Sequence, residues 1–248
     1  MKPFVFSLCI FFSGCVSAIS PAFEEILELF GVEEARVEEL WMQKGKERWE
    51  FDKRYEYMRP TAWPYFEIAG LVFEAFPQSR EYDYAIVFGA LLATVEKRIA
   101  FLERLRERGV NFNEIVFLTG DRDLLLSERE RSGCRIESEM VEWAYRQSDL
   151  SKDIPATFVF APKQSESGFL RCPRTHDTVE AWLRLSPTPG RCLAVSNQPY
   201  VGYQHAVLNS LLPRGFSLET VGPGIQGEPT VALMLDTIAK QIIAERSR

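Results

Sequence analysis

The chain has 248 residues, of which 46% are hydrophobic and 26% charged, and its formal net charge is −6. That length and balance suit one well-cored soluble domain with a small appendage. The acidic balance argues against a nucleic-acid partner, because phosphate binding needs a basic surface.

The N-terminus differs in kind from the rest. Lys2 precedes an apolar run from Phe4 to Phe12, and the small residues Ser13, Gly14, Cys15, Val16, Ser17 and Ala18 follow. The run is shorter than the roughly 20 apolar residues that span a bilayer, but it matches an export signal, here assigned to residues 1–18. Val16-Ser17-Ala18 reads as a small-x-small cleavage site. Phe12-Ser13-Gly14-Cys15 resembles a bacterial lipobox, which would leave Cys15 lipidated. The expected location is the periplasm or cell envelope, with membrane contact only through the signal or the lipid anchor.

Residues 19–80 read as a helical appendage. Ser20-Pro21 opens a helix that Gly31 stops, and a second helix is expected from Glu33 to about Tyr57, carrying Val37, Leu40, Trp41 and Trp49. Pro60, Pro64 and Pro77 punctuate the connection that follows, which contains Trp63. These helices should cover a face or edge of a sheet, and the tryptophans could serve packing or a protein partner.

From residue 81 to 248 a regular beat sets in. Apolar runs at Ala85–Gly89, Ile115–Gly120, Thr157–Ala161 and Cys192–Asn197, with a weaker one at Ser217–Val221, alternate with helix-length segments. Those helices are expected at about Leu92–Arg108, Ile136–Gln147, Asp177 onward, Pro199–Leu212 and Pro229–Ala244. Apolar runs without alternation mark strands covered on both faces, hence a parallel sheet between helices. Right-handed crossovers make the leading architecture a doubly wound, mostly parallel five-stranded sheet, a Rossmann-like α/β three-layer sandwich. Long loops are expected at Asp121–Arg135, where Leu124-Leu125-Leu126 would suit a lid, and after Ala161.

Ligands of such sheets bind at the carboxyl ends of the strands. The loops there carry Gly89, then Thr119, Gly120, Asp121 and Arg122, then Ser196, Asn197 and Gln198. Gly89 and Gly120 would permit either a tight turn or close approach to a ligand. Asp121, Arg122 and Asp123 pair acids with a guanidinium that could hold a polar ligand. Thr175, Asp177, Thr178 and Glu180 open a helix, where Thr175 or Asp177 can cap and free N–H groups can hold an anion. Glu139 and Glu180 could act as acid/base carboxylates if the fold brings them to the rim. The fingerprints GxGxxG, the Walker P-loop and GxSxG are absent. With no CxxC and only two histidines, no metal site is expected. His205 reads as a packed or surface histidine, and Cys192 as a small buried hydrophobe.

The order of these pieces resembles the YdcF/SanA/ElyC-like family of bacterial envelope-associated proteins, over about Asp83 to Gly222. Val87-Phe88-Gly89 is similar to the family's first strand and glycine, and Arg98 to the arginine of its first helix. Thr119-Gly120-Asp121 stands for the family's Ser-Gly-Gly, and Ser138-Glu139-Met140 resembles its Ser-Glu-Ala. Thr175–Ala181 resembles its Ser-Thr-x-Thr-x-Glu-Asn segment, with Ala181 in place of Asn. Tyr200 and Tyr203 occupy the two places of its HxxR. The resemblance implies a Rossmann-like fold, a role in the cell envelope and a site for a small polar or anionic ligand. One branch of the family is reported to bind S-adenosylmethionine, which an exported protein would not normally meet, so no cofactor is assigned. The replaced histidine and arginine leave a second expectation open, a non-catalytic envelope binding or scaffold protein.

Overall fold

The computed structural model describes residues 19–45, 50–166 and 168–247. The segment read as an export signal, Cys15 and Trp49 lie outside the described residues. Five strands, β1 (Glu81–Phe88), β2 (Asn111–Gly120), β3 (Ala156–Ala161), β6 (Arg191–Val195) and β7 (Ser217–Val221), form one all-parallel sheet in the order β3-β2-β1-β6-β7. The carboxyl-terminal halves of β1, β2 and β6 are buried on both faces, which is why they read as unbroken apolar runs.

Two helical layers cover the sheet. Helix α4 (Leu92–Glu107) and α6 (Glu137–Arg146) pack Val95, Ile99, Leu102, Met140 and Tyr145 against Ala85, Val87, Ile115 and Phe117. Helix α7 (Thr175–Leu183) and α8 (Val201–Leu211) pack Val179, Trp182 and Leu208 against Ile86, Val116, Val159 and Cys192 on the opposite face. Burial pushes the Cys192 thiol up to about 12, so it behaves as an inert core residue.

The last helix, α9 (Val231–Arg246), belongs to a third cluster. Its Met234, Leu235, Ile238 and Ile242 meet Phe23 and Ile26 of α1 (Pro21–Phe30), Val37 of α2 (Val37–Leu40) and Phe66 of α3 (Arg59–Ile68), with Trp41 beside them. Ser20 caps α1 and Gly31 ends it in the left-handed conformation. The long second helix expected from Glu33 to Tyr57 does not form: α2 has one turn, and Gly45 turns at φ 72. Leaving the helix lets Trp41 bury against α9, and the Gln43 N–H donates to the buried Asp236 carboxylate (2.9 Å). Polar ties reinforce the junction, since Arg59 donates to the Pro229 carbonyl and Glu56 accepts from Val231 N–H.

Both long loops expected downstream contain structure. Helix α5 (Leu126–Ser132) interrupts the segment after β2, with Leu124 buried and Leu126 72% exposed. The segment after β3 folds into a hairpin, β4 (Gln164–Glu166) with β5 (Phe169–Arg171). Single-turn or three-residue pieces carry too little periodic pattern to stand out in a sequence. No described helix is long and apolar enough to cross a membrane.

Because α9 shares its core with α1, α2 and α3, the N-terminal helices should unfold with the sheet. Phe66→Ala should cost about 3–5 kcal/mol and shift one common urea transition. Two separate transitions by fluorescence and circular dichroism would show instead that the appendage is an independent unit.

Candidate functional site

Strands β1 and β6 are neighbours, yet the chain leaves β1 toward β2 and leaves β6 toward β7, in opposite directions across the sheet. That reversal opens a crevice at their carboxyl ends, the place where doubly wound sheets hold ligands. A cleft of about 620 Å³ lies there, lined by residues from the ends of β1 and β2, the start of α4, the α5 and α6 entries and the β5–α7 connection.

Arg98 reaches the cleft from α4 and is only 3% exposed. Its guanidinium donates to the carbonyls of Phe88 (2.5 Å) and Gly89 (3.3 Å) and to Asn197 Oδ1 (2.6 Å). These neutral oxygens fix the orientation of the group. Asn197 in turn donates to the Gln198 carbonyl, so the ends of β1 and β6 are joined across the crevice.

Arg122 enters from the loop after β2 and makes a bidentate pair with Glu128 of α5 (2.9 and 3.1 Å). It also donates to the Ala90 carbonyl and places Nε 3.6 Å from Glu137 Oε1. Glu137, the first residue of α6, accepts from Gly120 N–H at 3.0 Å. The two carboxylates diverge. Burial pushes Glu137 above the ordinary carboxylate value, against the pull of Arg122, Gly120 N–H and Arg98. Burial also opposes the charge on Glu128, but the Arg122 fork and the N–H groups of Leu125 and Leu92 outweigh it and hold that pKa down. The cleft therefore sets two carboxyls whose pKa values are pushed apart on either side of one guanidinium.

Gly89 and Gly120 serve close approach of the protein's own side chains. A Cβ on Gly89 would lie 2.9 Å from the Glu137 carboxyl carbon, and one on Gly120 would lie 2.3 Å from Pro173 Cγ. Neither glycine has positive φ, so packing, not backbone conformation, demands them. The far wall consists of Arg174, Thr175, Thr178, Tyr203 and Gln204. Burial raises the Tyr203 phenol, which stays protonated and able to donate.

Of the residues expected at the site, Gly89, Arg98, Gly120, Arg122, Thr175 and Thr178 line this cleft. Asn197 and Gln198 line a smaller neighbouring cleft of about 280 Å³, with Lys97, Pro199, Tyr200 and Pro223 among its other walls. Thr94 lines both. The others do structural work. Thr119 is fully buried and donates to the Val159 carbonyl, and Ser196 is fully buried at the end of β6. Asp121 continues the ladder by donating its N–H to the Ala161 carbonyl. Glu139 accepts from Arg135 N–H and so caps α6. Asp177 likewise caps α7 through Arg174 N–H and pairs with Arg171, while Arg174 itself is the N-cap residue. Glu180 is exposed beside His176. His205 bonds Thr220 and is packed. Glu137, Glu128 and Gln204 were not read from the sequence, although an acid at the first position of a helix after a strand-end loop was visible for Glu137.

Among the described residues no group of three or more His, Cys, Asp or Glu side chains is arranged to hold a metal ion. Comparison with protein-family models, curated proteins and solved structures returns no match.

The Glu137 assignment has a pH signature. Its folded pKa lies above the ordinary 4.5, so the folded chain binds more protons than the unfolded one within that window. Wild-type stability therefore falls as pH rises from about 4.5 through the raised value, by about 1.4 kcal/mol per unit of upshift, and then levels. Glu137→Gln lacks this proton. The unfolding free energy of wild type minus that of the variant should fall with rising pH in urea titrations from about pH 4 to about pH 8. A difference that is flat, or that rises, would contradict the buried acid.

Proposed function

We propose that the chain is an exported cell-envelope protein that binds a small polar anion in the cleft at the carboxyl ends of β1, β2 and β6, and that Glu137 can exchange a proton with that ligand. The observation that carries this reading is the meeting of Arg98, Arg122, Arg174 and Glu137 in one cleft at the switch point of the sheet. Neutral oxygens hold Arg98 in the cleft wall, and Arg174 is exposed at the mouth beside Glu166. A buried carboxyl with a raised pKa suits general acid/base work. The envelope part of the reading rests on the N-terminal apolar run and its small-residue flank, and on the resemblance of Arg98, Thr178 and the strand-end loops to the YdcF-like group, of which this chain would be a divergent member.

A second reading, binding without turnover, is favoured by one observation. Tyr203 stands in the cleft wall where the resemblance would place the arginine of HxxR, and no histidine lines the cleft among the described residues.

Inorganic phosphate is the simplest probe. It should raise the melting temperature of the protein in a concentration-dependent way. Arg98→Lys keeps the charge but loses the fork, and should weaken phosphate about tenfold. Arg174→Ala, at the exposed mouth, should weaken it less. Indifference of the wild type to phosphate and to acetate would remove the anion site. For export, residues 1–18 fused to a reporter should carry it to the envelope fraction, and retention in the cytosol would remove that part. The mature mass then separates cleavage after Ala18 from lipid on Cys15.

A further inference from the structure

Resting on the anion site proposed above, we infer that the two clefts form one continuous site for an anionic sugar, whose charged group sits with Arg98 and Arg122 while its hydroxylated ring extends into the smaller cleft.

The two clefts share Thr94 as a wall, and the hydrogen bond from Arg98 to Asn197 Oδ1 (2.6 Å) crosses from the lining of one to the lining of the other. Each cleft has a buried glutamine whose carbonyl oxygen has no partner, Gln204 in the larger and Gln198 in the smaller. They are 9% and 4% exposed. The orientation of the Gln198 amide is fixed, because its Nε2 donates to two carbonyls, Gly70 (2.8 Å) and Phe73 (3.0 Å). Its Oε1 is therefore the orphan, and a buried orphan acceptor costs roughly 1–3 kcal/mol until a donor meets it.

Both orphans are acceptors, and that constrains the ligand. A carboxylate such as acetate brings acceptors only, and the inorganic phosphate dianion brings a single O–H, so neither can satisfy both. An ammonium could donate, but Arg98 and Arg122 repel it in the larger cleft, while Lys97 and Glu228 offset each other in the smaller. Neutral donors remain, and hydroxyls carried by the anion that the arginines select would supply them. Pro199, Pro223, Tyr200 and Leu233 supply flat, partly apolar surface in the smaller cleft, which suits the C–H face of a sugar ring.

The test is calorimetry on the full folded protein with five probes: inorganic phosphate, acetate, glucose, glucose 6-phosphate and glucuronate. Each sugar anion should bind on the order of tenfold tighter than the matching bare anion, the effect of two hydrogen bonds. Whether glucose 6-phosphate or glucuronate shows the larger gain tells a phosphorylated from a carboxylated sugar. Gln204→Leu and Tyr200→Ala should bring the ratio of sugar-anion to bare-anion affinity toward one, with circular dichroism checking that each variant is folded. Bare anions that bind as tightly as the sugar anions, or folded variants that keep the wild-type ratio, would overturn the sugar assignment and leave the anion site standing. Glucose binding as tightly as its phosphate would overturn the anionic part. No binding by any probe would remove the underlying anion-site reading instead.

Discussion

The rim is held together by one carboxylate. Glu128, 5% exposed, accepts from the N–H groups of Leu92 and Leu125 and from both terminal nitrogens of Arg122. Those four donors come from the start of α4, the start of α5 and the adjoining loop after β2, so the carboxylate ties the β2–α5 stretch to a helix start 36 residues away in sequence. A buried charge left by loss of its partner costs about 3–5 kcal/mol, so none of the three can move off while Glu128 is ionised. The fork also aims Arg122, whose remaining Nε then faces Glu137.

From that arrangement follows the unequal state of the two acids. Arg122 spends its bidentate face on Glu128, and Glu137 receives one N–H at 3.0 Å and an arginine nitrogen only at 3.6 Å. Burial then decides the matter at Glu137 and loses at Glu128. One guanidinium cannot fully neutralise two buried carboxylates, and the acid left short has its pKa pushed up. The site's chemical asymmetry is thus a result of its packing.

The strands are legible because a parallel strand covered on both faces has a single simple signature, which the runs ending at Phe88, Thr119-Gly120 and Val195 carry; the run ending at Ala161 is apolar too, although β3 is an edge strand with Phe160 46% exposed. The rim was legible as a place but not residue by residue. Glu139 was taken for a site acid when it sits two positions past Glu137, about 200° around a helix of 3.6 residues per turn. A rule would have separated them. An acid at the third helical position reaches back to the N-cap backbone, and Glu128, Glu139 and Asp177 all do so. Glu128 alone of the three also pairs with the side chain of a cleft residue, Arg122, which lies six positions before it. What could not be read at all were distances set by tertiary approach, such as Glu137 against Gly89 or Pro173 against Gly120.

The N-terminal helices read as a separate appendage, but their connection runs into the site. Residues 70–75 lie along the rim: Gln198 donates to Gly70 and Phe73, Ala75 and Gly222 exchange hydrogen bonds, and Ile225 N–H donates to the Val72 carbonyl. Gln198 is adjacent to Asn197, and Asn197 holds Arg98. The burial of Trp41 and Phe66 on α9 therefore anchors the segment that fixes Gln198, and Gln198 sets one wall of the smaller cleft. A partner that docked on these helices would have to preserve that packing or alter the site through it. The appendage is best understood as a wall of the binding region, built from the first and last helices of the chain because the sheet's own crossovers leave that side of the rim uncovered.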